Sequence, residues 1–225
     1  MREDFPGFEY LIGFSQKELE ALIQEAHRLR KRVAAHAIFV PHIGIAVRAD
    51  VDTLEHGWYL DAESAAMMAE KGIFWIPTIT FTNPQHIQKQ IEKLGAENPI
   101  ARKLMVNVPL FEKSFESLRN IFTKTVAAGV KIATGTDVLD FTIYNTADEV
   151  IVMTELGLSN MQAIMAGTRI AAEALDMLHQ IGTLEQGKCA DLLVVNGNPL
   201  KEIKSLKSVY MVIKDGETVT QKAQN

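Results

Sequence analysis

The sequence predicts an α/β protein, a partial (β/α)8 barrel followed by a short all-β tail. Three observations predict it. Short apolar runs alternate with amphipathic helical stretches, and repeated βα units imply a parallel sheet covered by helices. Polar residues with catalytic chemistry, His36, His56 and Asp137, fall at the carboxyl ends of separate strand runs, with Thr78 near the end of another. Near the C-terminus the helical periodicity stops and strand runs follow one another. A doubly wound sheet also satisfies the βα alternation. The strand-end placement favours the barrel, because a barrel assembles its active site from the carboxyl ends of several strands. Four such strands are too few to close one.

The elements follow in order. Ser15 and Glu18 form an S-x-x-E capping box, and Leu19, Leu22, Ile23, Ala26 and Leu29 make one apolar face, so a helix runs from Ser15 to a basic end at 28–32. A buried strand is expected at 33–37, a weaker helix at about 42–49 and a strand at 51–55 leading into His56. Residues 61–71 read as an amphipathic helix closed by Gly72. Residues 73–80 are rich in β-branched and aromatic side chains and read as a strand. The stretch 83–129 is mostly helical, with Pro84, Pro99 and Pro109 as expected breaks. A strand at 130–134 runs into Gly135-Thr136-Asp137, and helices are expected at about 146–156 and 160–175. In the tail, 190–195 and 209–213 read as strands, the second ending in the hairpin signal Asp215-Gly216.

Bulk properties narrow the function classes. The 225 residues suit one domain with a small appendage. A net charge of −5 with scattered Lys and Arg argues against nucleic acid or an anionic membrane as the main partner. No apolar run reaches the roughly 18 residues of a membrane span. The opening MREDFPGFEY lacks the apolar core of a signal peptide, and the single cysteine, Cys189, cannot form an internal disulfide. A cytoplasmic protein is the expectation.

Two histidines and an aspartate at the ends of parallel strands make a plausible zinc-type ligand set. Imidazole nitrogen and carboxylate oxygen are standard Zn²⁺ donors, and three of them leave a position open for water. A neighbouring carboxylate can then move the proton, and Asp137 is the candidate. A lone strand-end histidine is more often a packing residue, so the argument rests on three such residues recurring on separate strands. His27, His42, His86 and His179 receive no role, and the Met67-Met68 and Met161-Met165 pairs read as core filling.

Three segments, VAAHAIFVPHIGIAVRADVDTLEHG, GVKIATGTD and EALDMLHQIGTLEQGKCADLL, resemble the amidohydrolase superfamily, closest to its imidazolonepropionase-like and Xaa-Pro dipeptidase-like branch. They come in the family's order and span nearly the whole chain. The resemblance implies that the strands are about the fifth to the eighth of the barrel. His36 and His56 then match the metal ligands of the fifth and sixth, and Asp137 matches the aspartate of the eighth, which touches metal and shuttles the proton. It implies Zn²⁺ or another divalent metal, one or two ions, and a small amide, cyclic amide or dipeptide substrate. Thr78, Tyr144 and Asn145 are expected to line the substrate pocket.

It also implies two parts, residues 1–180 in the barrel and 181–225 as strands of an accessory β-sandwich. The family's His-x-His pair on the first strand, and the ligand of the fourth, have no counterpart here. The chain is therefore expected to be a fragment, inactive alone, or one half of a split enzyme needing a partner chain or a homo-oligomer. The family's second histidine, two residues beyond the fifth-strand ligand, is replaced by Ile38. Ester or phosphotriester hydrolysis is the alternative chemistry that the same metal geometry supports.

Overall fold

A computed structural model of the chain describes residues 13–137 and 143–221. Helix α1 (Gln16–Arg28) begins at the expected cap: Ser15 Oγ accepts the Glu18 amide and the Glu18 carboxylate accepts the Ser15 amide. A side-chain cap of this kind is worth about 1 kcal/mol. Strand β1 (Ala34–Ala37), helix α2 (Val40–Arg48), strand β2 (Thr53–His56), helix α3 (Ala62–Lys71) and strand β3 (Phe74–Ile76) follow. Asp61 caps α3, and Gly72 ends it at φ 71°, a left-handed conformation that glycine adopts without a Cβ penalty.

The three strands form one parallel sheet in chain order, β1-β2-β3. The segment at 130–134 continues it as a single parallel bridge between Trp75 and Ile132. The Trp75 amide donates to Lys131 O and the Ala133 amide to Trp75 O, each at 2.9 Å. A Cβ at Gly135 would lie 2.3 Å from Ile76 Cγ2, so this close approach needs glycine. Each strand sits beside its predecessor, with no reversal of strand order among the described residues.

Helices cover one face of the sheet. Leu54 and Trp75 pack there with Ile43 and Val47 of α2, Met68 of α3, and Leu118 and Phe122 of α6 (Pro99–Ala127). On the other face Phe74, Ile76 and Ala133 meet Ala174 of α9 (Arg169–Ala174). The strand alternation of period two sends Trp75 to the helical side and its neighbours to the opposite one.

Three expectations are corrected. The strand expected at 73–80 stops at Ile76, and α4 (Ile79–Thr82) begins two residues later. Pro77 has no amide for a ladder, Thr78 turns left-handed at φ 47°, and the next two amides go to the Glu149 carboxylate. Pro84 and Pro99 do open helices, α5 (Pro84–Leu94) and α6, but Pro109 lies inside α6 without ending it. It sits on an exposed position, where water can take the carbonyl it leaves free. The helix expected at 160–175 divides at Gly167-Thr168 into α8 (Asn160–Ala166) and α9. Helix α7 (Thr146–Glu155) is as expected.

In the tail β4 (Leu192–Val195), β5 (Val209–Lys214) and β6 (Glu217–Gln221) form an antiparallel sheet in that order. Asp215 and Gly216, at φ 51° and 81°, make the β5–β6 connection. Two successive left-handed residues mark a type I′ turn, whose twist suits a hairpin. Among the described residues no helix is long and apolar enough to cross a membrane.

Candidate metal centre

His36 and Glu55 are register partners on β1 and β2, so their side chains share one face of the sheet. Regular alternation would send His56, the next residue, to the opposite face. His56 instead takes a left-handed backbone at φ 69°, and its ring lies with its centroid 4.5 Å from that of His36, at 70°. The indole of Trp58 packs edge-on to the same imidazole at 5.3 Å.

Hydrogen bonds lock His56 in place. Its Nδ1 is 2.7 Å from Thr78 Oγ1, and Thr78 Oγ1 donates its proton to Pro77 O at 2.8 Å. The hydroxyl oxygen therefore accepts from Nδ1–H, an assignment made from the network, and the Nε2 lone pair is left free. The indole of Trp75 donates to His56 O at 2.8 Å, and that of Trp58 to Pro77 O at 2.9 Å. A Cβ at Gly57 would come within 2.7 Å of Trp75 Nε1, which accounts for glycine after the histidine. Burial, then the neighbouring His36, push the His56 imidazole down to about 4, with Asp137 opposing. Neutral imidazole is the form that ligates metal.

Asp137 ends the fourth strand segment, exposed and at φ 49°. Its charge opposes the depression at His56 and, after burial, helps to raise the Glu55 carboxyl. His56, Thr78 and Asp137 thus hold left-handed backbone at or just beyond three successive strand ends. Each such non-glycine residue costs on the order of 1 kcal/mol, and strain of this kind concentrates at functional sites. The structure brings the His36 and His56 rings together. Among the described residues, however, no three His, Cys, Asp or Glu side chains form a group able to hold a metal ion.

Of the residues expected in a substrate pocket, Tyr144 is buried and stacks on His86 at 5.8 Å. Burial, then the charges of Asp137 and Glu149, raise its phenol above the usual range, so it stays protonated. Thr78 is 3% exposed and lies behind His56, its hydroxyl committed on both sides. Asn145 is the N-cap of α7, accepting the Ala147 and Asp148 amides through its side-chain oxygen. Both side chains carry structural hydrogen bonds.

Sequence reasoning did not single out Trp58 or Glu149, which the structure places around His56 and the turn behind it. Trp58 follows the Glu-His-Gly triplet directly, and that proximity was a usable signal. Glu149 carried none, since it looks like an ordinary acidic residue in a first helical turn.

Residues 11–219 match the Amidohydrolase family. The chain is 30% identical over 228 residues to ochratoxinase from Aspergillus niger, covering 96% of this chain and 43% of that enzyme. It is 30% identical over 200 residues to imidazolonepropionase from Rhizobium meliloti (strain 1021), covering 84% and 40%. A solved Xaa-Pro dipeptidase with bound methionine superposes with a TM-score of 0.78 at 31% identity, over 93% of this chain and 49% of the other. A prolidase complexed with N-methylphosphonate-L-proline superposes at 0.79 with 30% identity, over 93% and 50%. The chain spans less than half the length of the two enzymes matched by sequence. With a family match along nearly all its length and an α/β fold shared with solved relatives, this chain belongs to the amidohydrolase family.

Proposed function

We propose that this chain is the C-terminal part of a metal-dependent hydrolase that cleaves a C–N bond in a small amide, cyclic amide or dipeptide. The carrying observation is the His36–His56 pair, with the second imidazole held by Thr78 so that Nε2 is free. The names of the relatives, a dipeptidase, a prolidase and an ochratoxinase among them, support the bond class. Members of the family commonly use divalent metals, and two imidazoles with a carboxylate fit that use as donors. A bound Zn²⁺ lowers the pKa of water to near 7 and polarises a carbonyl.

On this reading His36 and His56 hold the ion. The Asp137 carboxylate takes the proton from the attacking water and returns it to the leaving nitrogen. The protonated Tyr144 phenol offers a hydrogen bond to the substrate. We assign β1, β2, β3 and the 130–134 segment to the fifth to eighth strands of the barrel, and the tail from residue 181 to an accessory sandwich. Three donors suffice in number for one catalytic zinc, but among the described residues no three of them form a group able to hold an ion. The remaining donors then come from strands outside this chain, in a longer protein or a partner subunit, working in the cytoplasm.

Isothermal titration of Zn²⁺ into the chain tests the ligand pair. Wild type is expected to bind weakly, in the micromolar range or above, and His56→Asn to lose most of that binding. Unchanged zinc binding by a His36→Asn/His56→Asn double variant would overturn the ligand assignment. Nanomolar binding by the chain alone would overturn the need for further donors.

A further inference from the structure

We infer that Glu149 is the positioning residue of this site, holding the turn after β3 so that Thr78 presents its oxygen to His56 and leaves Nε2 free. The inference rests on the metal-site reading above. Glu149 lies in the first turn of α7 and is fully buried. Among the described residues no cation is paired with it. Its carboxylate makes three hydrogen bonds instead. Oε1 accepts the Ile79 amide, and Oε2 accepts both the Thr80 amide and the Thr80 hydroxyl, all at 2.8 Å.

Those amides open α4, a helix whose own N-cap residue, Thr78, gives it no side-chain cap. The Thr78 hydroxyl is needed elsewhere, between His56 and Pro77 O. The division of labour is specific: Glu149, reaching from 69 and 70 residues away in sequence, does the capping that releases Thr78 for the imidazole. It also fixes Thr78 at φ 47°, because the next two amides are pinned. Tyr144 and Asn145 lead into the same helix. Glu149 therefore ties α7 to the turn that orients His56.

Glutamine cannot replace it. Whichever way the side-chain amide of a Glu149→Gln variant turns, its NH₂ faces a backbone N–H, either that of Ile79 or that of Thr80. One donor is left unpaired, and the turn is free to shift.

The test reads the His56 tautomer by long-range ¹H–¹⁵N NMR on the metal-free chain at neutral pH, alongside its zinc affinity. Wild type is expected to give a single Nδ1–H form. Glu149→Gln is expected to give a mixture of tautomers and a 10–100-fold loss of zinc affinity. Met153→Ala, a core truncation on the same helix, is expected to lower stability while keeping the single tautomer.

A Glu149→Gln chain that keeps the wild-type tautomer and zinc affinity would overturn the inference, as would a Met153→Ala chain that matches its changes. If Glu149→Gln does not fold, Thr80→Val, which removes one of the three bonds, carries the test, and an unchanged tautomer there overturns it. The tautomer is read without metal. A zinc result indifferent to His56→Asn would thus sink the metal reading while leaving the positioning role to its own measurement.

Discussion

Replacing Thr78 by valine isolates one hydroxyl group at the centre of the site. Valine is nearly isosteric with threonine and equally β-branched, so the strain of the left-handed backbone at φ 47° is the same in both. What changes is the hydrogen bonding. Pro77 O loses one donor but keeps the Trp58 indole at 2.9 Å, so it is not orphaned. His56 Nδ1–H loses its partner at 2.7 Å, and His56 is 8% exposed, leaving water little access. An unsatisfied buried donor costs about 1–3 kcal/mol, and that is the expected loss. The ring can avoid it only by moving its proton to Nε2, which removes the lone pair a metal needs. Loss of such an outer partner lowers metal affinity about 10–100-fold. Urea unfolding at pH 7 and zinc titration measure the two quantities, with Thr78→Ser, which keeps the hydroxyl, as the control that should bind zinc as wild type does. A Thr78→Val chain within about 0.5 kcal/mol of wild type, the usual range for a neutral substitution, and with the same zinc affinity would refute the reasoning.

Gly57→Ala puts a Cβ 2.7 Å from Trp75 Nε1 at φ 60°, so it should cost about 1–3 kcal/mol and alter tryptophan fluorescence by breaking the Trp75–His56 O bond. Burial raises the Glu149 carboxyl to about 7 from 4.5, against the pull of its hydrogen bonds, so the native state keeps a proton the unfolded chain releases. That contribution is fully present below pH 4.5 and lost as pH rises through 7. At 1.36 kcal/mol per unit it amounts to about 3 kcal/mol. The stability difference between wild type and Glu149→Gln, measured by urea unfolding at several pH values, should fall across that window and be flat above it. If the proposed function holds, Asp137→Asn in the longer protein should lower turnover of an amide substrate at least 10²–10⁴-fold, while His42→Ala costs far less. Measuring kcat for both on one substrate checks the ranking.

Much of the architecture was legible in local sequence because it depends on local physics. The Ser15–Glu18 box, the Asp61 cap and the Gly72 stop act within a few residues, and Asp215-Gly216 encodes its own turn. The strand at 73–80 was overread for the opposite reason. Its β-branched residues favour extended backbone, but Glu149, some 70 residues away, captures two amides that a longer strand would have offered to a ladder. Pro109 was overread as a break because sequence does not say which face of a helix meets water.

For the site, the sequence by itself determined the chemistry present and its place at strand ends, since motif order and residue type are local properties. Only the tertiary structure decided which of those side chains meet. Strand alternation puts His36 with Glu55 and away from His56. The two imidazoles come together only because His56 leaves the extended conformation, and Trp75 and Thr78, both some 20 residues away in sequence, hold it there. Likewise the hydrogen bond between Thr78 and His56 spans 22 residues, and sequence position alone did not give it. A hydrogen-bond partner is a fact of three-dimensional distance, and a single sequence carries no record of it.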